Sequence, residues 1–239
     1  MMAFFPDDTN WPESFPKSVE EVKIRVSKKI ELHCLLLKSN SPNAILYLQG
    51  NAGHIADRLS TLQTLNSFKQ NVLGVGYRGY GKSTGRPSEE GIYQDAEICL
   101  NHLINDLNIP EERITVIGRS IGTTAAIHIS QNKKLKGLIL ITPLFNAEMH
   151  AKTHNMGFLS FLAKNIFEND KKITNIKCPL LIIHGTQDEL TPYRLGKDLY
   201  EIATCKKEFV TIKNAGHNDI QFVGGEKYWN KIQKFISGS

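Results

Sequence analysis

The segment whose residue types could do chemistry most directly is Gly118-Arg-Ser-Ile-Gly122, a G-x-S-x-G pattern. It follows a β-rich run at 114–117 and leads into a stretch of small residues that predicts a helix from Ile121. A serine on so tight a strand-to-helix turn takes strained backbone angles and projects its hydroxyl away from the sheet. Glycine on either side avoids collisions within that turn. The pattern therefore predicts a nucleophilic Ser120, in preference to a serine that only caps the helix.

His217 is the predicted general base for that nucleophile. A serine needs a neutral imidazole within hydrogen-bond reach, and a carboxylate must hold the imidazole in the correct tautomer. His217 lies in a glycine-bearing loop after the last predicted strand, and such loops carry functional groups in open α/β sheets. We interpret His184 as a packing or bracing residue before a turn. Other histidines fall in predicted strands or helices, as core or surface residues, or in an insert where they could touch substrate: His33, His102, His128, His150 and His154.

Asp188 is the predicted acid that orients His217. It lies just past a buried strand, in the segment 184–192, and the chain order Ser120, Asp188, His217 is the order expected for a nucleophile on this kind of turn. Glu189 and Asp219 are the competing carboxylates. Asp188 is nearer the strand end, whereas Asp219 is too close to His217 in sequence to face its ring easily.

Two backbone N–H groups are predicted to bind the oxyanion. One belongs to Ile121, which follows the nucleophile and begins a helix whose positive dipole end favours negative charge. The other comes from the loop GNAG at 50–53, where Asn51 is the first choice and Ala52 the second. A tight turn alone would also explain the GNAG segment, and both interpretations can hold at once.

Short apolar runs alternate with longer amphipathic stretches along most of the chain, which predicts a largely parallel sheet flanked by helices. Residues 22–37 read as an antiparallel lead-in hairpin. Capping residues at Ser88 open a helix that runs to about Leu107, and a closing helix is expected over 226–236. Buried strands are predicted at 44–48, 72–75, 114–117, 137–141, 179–183 and 208–212.

The alternation breaks between Pro143 and Cys178, where apolar clusters belong to no predicted strand. We interpret this insert as a small helical lid, although a plain connecting helix fits the same pattern. Three of its side chains are candidates for an apolar acyl pocket, with core packing as the alternative: Phe158, Phe161 and Leu162. Because no linker or repeat interrupts the chain, residues 1–239 are predicted to form one domain with the lid inserted at about 143–178.

The composition excludes several classes of protein. With 239 residues, 41% hydrophobic and 22% charged, the chain can build a globular core. Its net charge of +5 comes from scattered lysines and arginines, which disfavours nucleic acid as a partner. Four dispersed cysteines favour a reducing compartment, so a cytoplasmic location is expected. No run has the ~20 apolar residues that span a bilayer, although the doubled Met at the start leaves open a removed N-terminal anchor.

Five stretches of the chain carry a family resemblance: GNAG (50–53), YRGYGKSTGRPSEEG (77–91), GRSIG (118–122), HGTQDELTP (184–192) and AGHND (215–219). With them the sequence resembles the α/β-hydrolase superfamily and, within it, the compact ABHD-type serine hydrolases. The resemblance implies a mostly parallel central sheet with helices on both faces and a Ser-Asp-His triad. Such a triad acts on esters, thioesters or amides of lipid-like or small acyl groups. Some relatives are associated with membranes.

Two positions depart from the family pattern. Gln49 stands where a histidine usually precedes the GNAG segment, and Gly76 stands where an aspartate usually precedes YRG. Neither belongs to the predicted triad. We therefore expect the chemistry to survive, with consequences for the bracing of the loops and for substrate preference.

The sequence thus predicts a serine hydrolase that cleaves small-molecule carboxylic esters or thioesters, with lipid-like acyl groups among the candidates, and that uses no metal and no organic cofactor. Two other readings remain: a small serine peptidase of the same fold, which the short insert disfavours, and a non-catalytic binding member, which would normally have lost a triad residue. The oligomeric state and the acyl donor are not predicted.

Overall fold

The computed structural model describes residues 4–7, 9–153 and 165–238. The chain divides into two compact units, with the boundary between Ile117 and Gly118. The expectation of a single domain over 1–239 stays a prediction.

The first unit is built on strands whose apolar residues are largely buried. Strand β4 (Ala44–Leu48) is buried at all five positions, as its continuous run of apolar residues predicts. It pairs in parallel with β6 (Asn71–Val75), and β6 pairs antiparallel with β3 (Glu31–Leu37), which forms the predicted hairpin with β2 (Glu20–Arg25). A short parallel pair joins β1 (Phe5–Pro6) to β5 (Ala52–Gly53). The unit also contains β7 (Ile114–Arg119), whose last two residues begin the second unit.

In the part of this unit that the structure describes, the α-helices are α1 (Leu59–Ser67) and α2 (Glu89–Asn101). The predicted start of α2 is confirmed, because the Ser88 hydroxyl accepts the backbone N–H of Gly91 at 3.0 Å. Beyond Asn101 the helix widens into a π-helical turn over His102–Asp106. The predicted end near residue 107 therefore holds for the helical segment as a whole.

Among its described residues, the second unit has three parallel strands in the order β8 (Gly137–Ile141), β9 (Leu180–Gly185) and β10 (Lys207–Ile212). β8 and β9 are buried throughout, as their apolar runs predict. The sequence did not predict α6, and it placed the start of α7 six residues too late, because the helix continues on both sides of a break at Gly225. The elements are α3 (Gly122–Ser130), β8 (Gly137–Ile141), α4 (Ala147–Thr153), α5 (Asn169–Lys172), β9 (Leu180–Gly185), α6 (Tyr193–Ile202), β10 (Lys207–Ile212) and α7 (Ile220–Ser237).

The predicted insert at 143–178 contains the short helices α4 and α5. The three predicted pocket residues, Phe158, Phe161 and Leu162, lie outside the described residues, and so does His154. The lid therefore stays a prediction. In the described part of the chain, no helix combines the length and the apolar character needed to cross a bilayer.

Candidate active site

Ser120 lies on a strained turn between β7 and α3. Its φ is +52°, in the left-handed region that non-glycine residues seldom adopt. The Ser120 N–H donates to the carbonyl of Ile141 at the end of β8, at 2.9 Å. A Cβ added to Gly118 would lie 2.7 Å from the carbonyl oxygen of Gly122 and from the Cα of Thr123. The first glycine of G-x-S-x-G is thus required by the close approach of α3 to this turn.

The structure brings the three predicted residues of the triad into one hydrogen-bonded chain. His217 Nε2 lies 2.9 Å from Ser120 Oγ. On the other side of the ring, His217 Nδ1 lies 2.9 Å from Asp188 Oδ2 and 3.1 Å from Asp188 Oδ1. This geometry suits a histidine that carries its proton on Nδ1, donates it to the carboxylate and offers the Nε2 lone pair to the serine hydroxyl.

Asp188 is held as a carboxylate by its surroundings. Burial alone would raise the pKa of Asp188, but hydrogen bonds from His184 and His217, the charge that His217 can carry and the N–H of Thr191 outweigh burial and hold that pKa well below its usual range. The Asp188 Oδ1 atom accepts the N–H groups of Leu190 at 3.0 Å and Thr191 at 2.7 Å. The carboxylate is thus fixed in position and charged at neutral pH.

The two competing carboxylates have other surroundings. Glu189 is exposed. Asp219 stands at the start of α7, where its Oδ1 accepts the N–H of Gly216 at 2.7 Å. It therefore braces the loop that carries His217, and this explains why a carboxylate only two residues from His217 is not the one facing the ring.

Three neighbours of the triad contribute contacts that no sequence motif indicated in detail. His184, predicted to brace the loop, is fully buried, and its Nε2 lies 2.7 Å from the Thr191 carbonyl and 3.2 Å from Asp188 Oδ2. The Thr191 hydroxyl contacts both Asp188 and His217. Arg119 donates from Nη2 to the carbonyls of His217, at 3.4 Å, and Asn218, at 3.3 Å. Arg119 could have been suspected only from its position beside Ser120, and Thr191 only from its position beside Asp188.

The predicted oxyanion donors lie in different units. Ile121 belongs to the second unit and is the N-cap of α3, at the helix end where backbone N–H groups lack an intrahelical carbonyl partner. Asn51 belongs to the first unit, and its side-chain oxygen accepts the N–H of Phe5 and the hydroxyl of Tyr80, each at 2.9 Å. Burial raises the pKa of Tyr80, so its hydroxyl stays protonated and donates. The Asn51 side chain is held from two sides, while the pairing of Asn51 with Ile121 stays a prediction.

The two departures from the family pattern have distinct surroundings within the first unit. A Cβ at Gly76 would lie 2.1 Å from the carbonyl oxygen of His33, so an aspartate cannot occupy this position without a shift of β3. Gln49 is fully buried, and neither polar atom of its side chain has a hydrogen-bond partner among the described residues.

An open cleft of about 630 Å³ lies in the first unit, lined by residues such as Lys38, Asn71 and Arg113, and it includes none of the predicted site residues. Among the described residues, no group of three or more His, Cys, Asp or Glu side chains is arranged to hold a metal ion.

Solved structures of the same fold match nearly the whole chain. An esterase of Pyrococcus furiosus superposes with a TM-score of 0.80 over 98% of both chains at 20% identity. An alpha-beta hydrolase from Vibrio vulnificus gives a TM-score of 0.80 at 22% identity, covering 92% of this chain and 81% of that one. The predicted α/β-hydrolase fold, with its mostly parallel sheet and helices, is therefore confirmed.

Sequence comparisons define the family more closely. The model of a family described as serine aminopeptidase, S33 matches residues 40–169, just over half of the chain. The human alpha/beta hydrolase domain-containing protein 17B is 31% identical over 224 residues, which cover 92% of this chain and 76% of that protein. The protein aho-3 of Caenorhabditis elegans is 29% identical over 232 residues, 95% of this chain and 68% of its own length. The chain belongs to the α/β-hydrolase family as a member of its ABHD type.

Proposed function

We propose that this protein is a serine hydrolase that cleaves carboxylic esters or thioesters with lipid-like acyl groups through an acyl-enzyme on Ser120. The observation that carries the proposal is the 2.9 Å contact between Ser120 Oγ and His217 Nε2, on a turn whose positive φ holds the serine clear of β7. The family membership and the esterase fold support the same reaction class.

The proposed reaction begins when His217 Nε2 takes the proton of Ser120 as Oγ attacks the acyl carbonyl carbon. Asp188 stabilises the imidazolium that forms. In the proposed reaction, the oxyanion is bound by the N–H groups of Ile121 and Asn51, an assignment that rests on the sequence. When the tetrahedral intermediate collapses, the bond to the leaving group breaks and His217 gives its proton to the departing alcohol or thiol. Water then attacks the acyl-enzyme by the same route, releasing a carboxylic acid and restoring Ser120.

The proposed acyl pocket is formed by the apolar residues of the insert, Phe158, Phe161 and Leu162, and this part rests on the sequence alone. The reaction needs no metal and no organic cofactor. A non-catalytic binding role is disfavoured because all three triad residues are present and in contact. A peptidase is the second candidate, because the matching family is described as a serine aminopeptidase.

The substrate class can be tested with the purified protein and three matched sets of substrates: p-nitrophenyl esters from acetate to palmitate, acyl thioesters of the same acyl groups, and aminoacyl p-nitroanilides. We expect turnover of the esters or thioesters that rises with acyl length, and a loss on the order of 10⁶-fold in the Ser120→Ala variant. Turnover confined to the anilides would make the protein a peptidase. Activity that does not depend on acyl length would remove the lipid-like pocket from the proposal.

A further inference from the structure

The Thr191 side chain lies inside the contact between acid and base. Its hydroxyl is 2.8 Å from Asp188 Oδ2 and 3.1 Å from His217 Nδ1, and the residue is only 3% exposed. A third oxygen, the carbonyl of Thr142, lies farther away, at 3.3 Å. The two closest partners are the two groups on which the proposed proton transfer depends.

The single hydrogen of this hydroxyl is donated most strongly to the closest charged acceptor. The carboxylate of Asp188 is charged and closer than the Thr142 carbonyl, so the hydroxyl donates to Asp188. The lone pairs of the oxygen then face His217 Nδ1 and accept its N–H. Nδ1 thereby has two acceptors, the carboxylate and the hydroxyl. Both favour the tautomer that leaves the Nε2 lone pair for Ser120.

The backbone of Thr191 fixes where this hydroxyl lies. Its N–H donates to Asp188 Oδ1 at 2.7 Å, and its carbonyl accepts from His184 Nε2 at 2.7 Å. His184 Nε2 also lies 3.2 Å from Asp188 Oδ2, so a second imidazole borders the carboxylate. Thr191 is thus joined to the acid through its N–H and its hydroxyl, and a shift of its side chain would move it away from both Asp188 and His217.

We propose that Thr191 is a positioning residue of the site, whose hydroxyl orders Asp188 and His217 Nδ1 so that Nε2 stays aimed at Ser120. The proposal rests on the proposed function of that site. Thr191 takes no part in bond making. It acts through the two residues it bridges.

Other charged or titratable groups surround this bridge and are unchanged by a substitution at residue 191. The Tyr193 ring of α6 lies edge-on to His184, with 5.8 Å between ring centroids. Asp219, at the start of α7, binds the N–H of Gly216, and Arg119 binds the carbonyl of His217. A change in pH dependence on removing the hydroxyl can therefore be assigned to the bridge.

The test compares Thr191→Val, which removes the hydroxyl and keeps the branched shape, with Thr191→Ser, which keeps the hydroxyl. Steady-state kinetics on the best ester, pH–rate profiles and labelling by a fluorophosphonate probe are measured for both variants and for the wild type. We expect Thr191→Val to lower kcat about tenfold with KM within about twofold, since one hydrogen bond is lost, and Thr191→Ser to stay near the wild type. Without the hydroxyl, one hydrogen bond no longer offsets the negative charge of Asp188, so the carboxylate stabilises a protonated His217 more strongly. The acid limb of the Thr191→Val profile should therefore move to higher pH.

Thr191→Ala serves as a second variant without the hydroxyl, should valine disturb the packing, and it should show the same loss of kcat. One outcome is a wild type that labels and turns over, with Thr191→Val and Thr191→Ala showing the same kcat and the same acid limb as the wild type. That result would overturn the proposed role of Thr191 and leave the proposed function standing. Equal losses in Thr191→Val and Thr191→Ser would also overturn that role, because shape rather than the hydroxyl would then be responsible. A folded wild type that neither labels nor hydrolyses any ester would overturn the proposed function, and this inference with it.

Discussion

At the scale of single residues, two opposed effects act on the pKa of Asp188. Taking the group out of water favours the protonated acid, whereas two imidazoles and two backbone N–H groups favour the anion. The hydrogen bonds prevail, and the folded-state pKa of Asp188 lies below its ordinary value. The proposed role of Asp188 in orienting His217 requires such a carboxylate, because it stays charged at neutral pH.

The depressed pKa predicts a specific dependence of stability on pH. A carboxylate whose folded pKa lies below the unfolded value of about 3.9 stabilises the protein above that value, and the contribution disappears as pH falls toward the folded pKa. We expect Asp188→Asn to be less stable than the wild type at neutral pH, with a difference that shrinks between about pH 5 and pH 2. Urea unfolding at several pH values measures this.

The exposed neighbour Glu189 provides the control, because Glu189→Gln removes the same charge from the same loop. Its difference from the wild type should change little over the same range. A difference between Asp188→Asn and the wild type that stays constant as the pH falls would contradict the hydrogen-bonded, charged state described for Asp188.

At the scale of elements, the turn between β7 and α3 holds conformational strain at Ser120. A left-handed φ costs a non-glycine residue on the order of 1–3 kcal/mol, and here it is maintained by the contact with β8 and by the start of α3. This conformational cost is consistent with the proposed role of Ser120 as a nucleophile.

Two variants without the hydroxyl isolate this strain. Ser120→Gly relieves the positive φ, and Ser120→Ala keeps it, while both lack the nucleophile. We expect the glycine variant to be more stable than the alanine variant by about 1 kcal/mol, as measured by chemical unfolding. An alanine variant of equal or greater stability would show that the turn is not strained.

The helices show where sequence patterns lose their predictive power. Ser88 was identifiable as a cap because its hydroxyl satisfies a local N–H, an interaction within four residues. The predicted start of α7 was wrong because Gly224 and Gly225 are residues typical of a helix boundary. In the structure the helix is only kinked at Gly225, with φ 48°, and helical residues lie on both sides of it. Local chemistry was predictable, and the choice between ending and bending a helix depended on packing.

At the scale of the whole molecule, the proposed triad could be inferred from the sequence because each member lies just after a predicted strand. Ser120 follows β7, Asp188 follows β9 and His217 follows β10, and the carboxyl ends of parallel strands gather functional groups at one edge. Ser120 and His217 are 97 residues apart in sequence yet lie in hydrogen-bond contact. The bridge made by Thr191 could not be predicted, since it depends on how two loops fold against each other and no spacing rule encodes it.

The central claim, that Ser120 is a nucleophile activated by His217, is tested most directly by mass spectrometry after treatment with a fluorophosphonate probe. We predict a single covalent adduct on the peptide that contains Ser120 in the wild type, and loss of that adduct at short times in a folded His217→Ala variant. An adduct on another serine, or equally fast labelling without His217, would contradict the account.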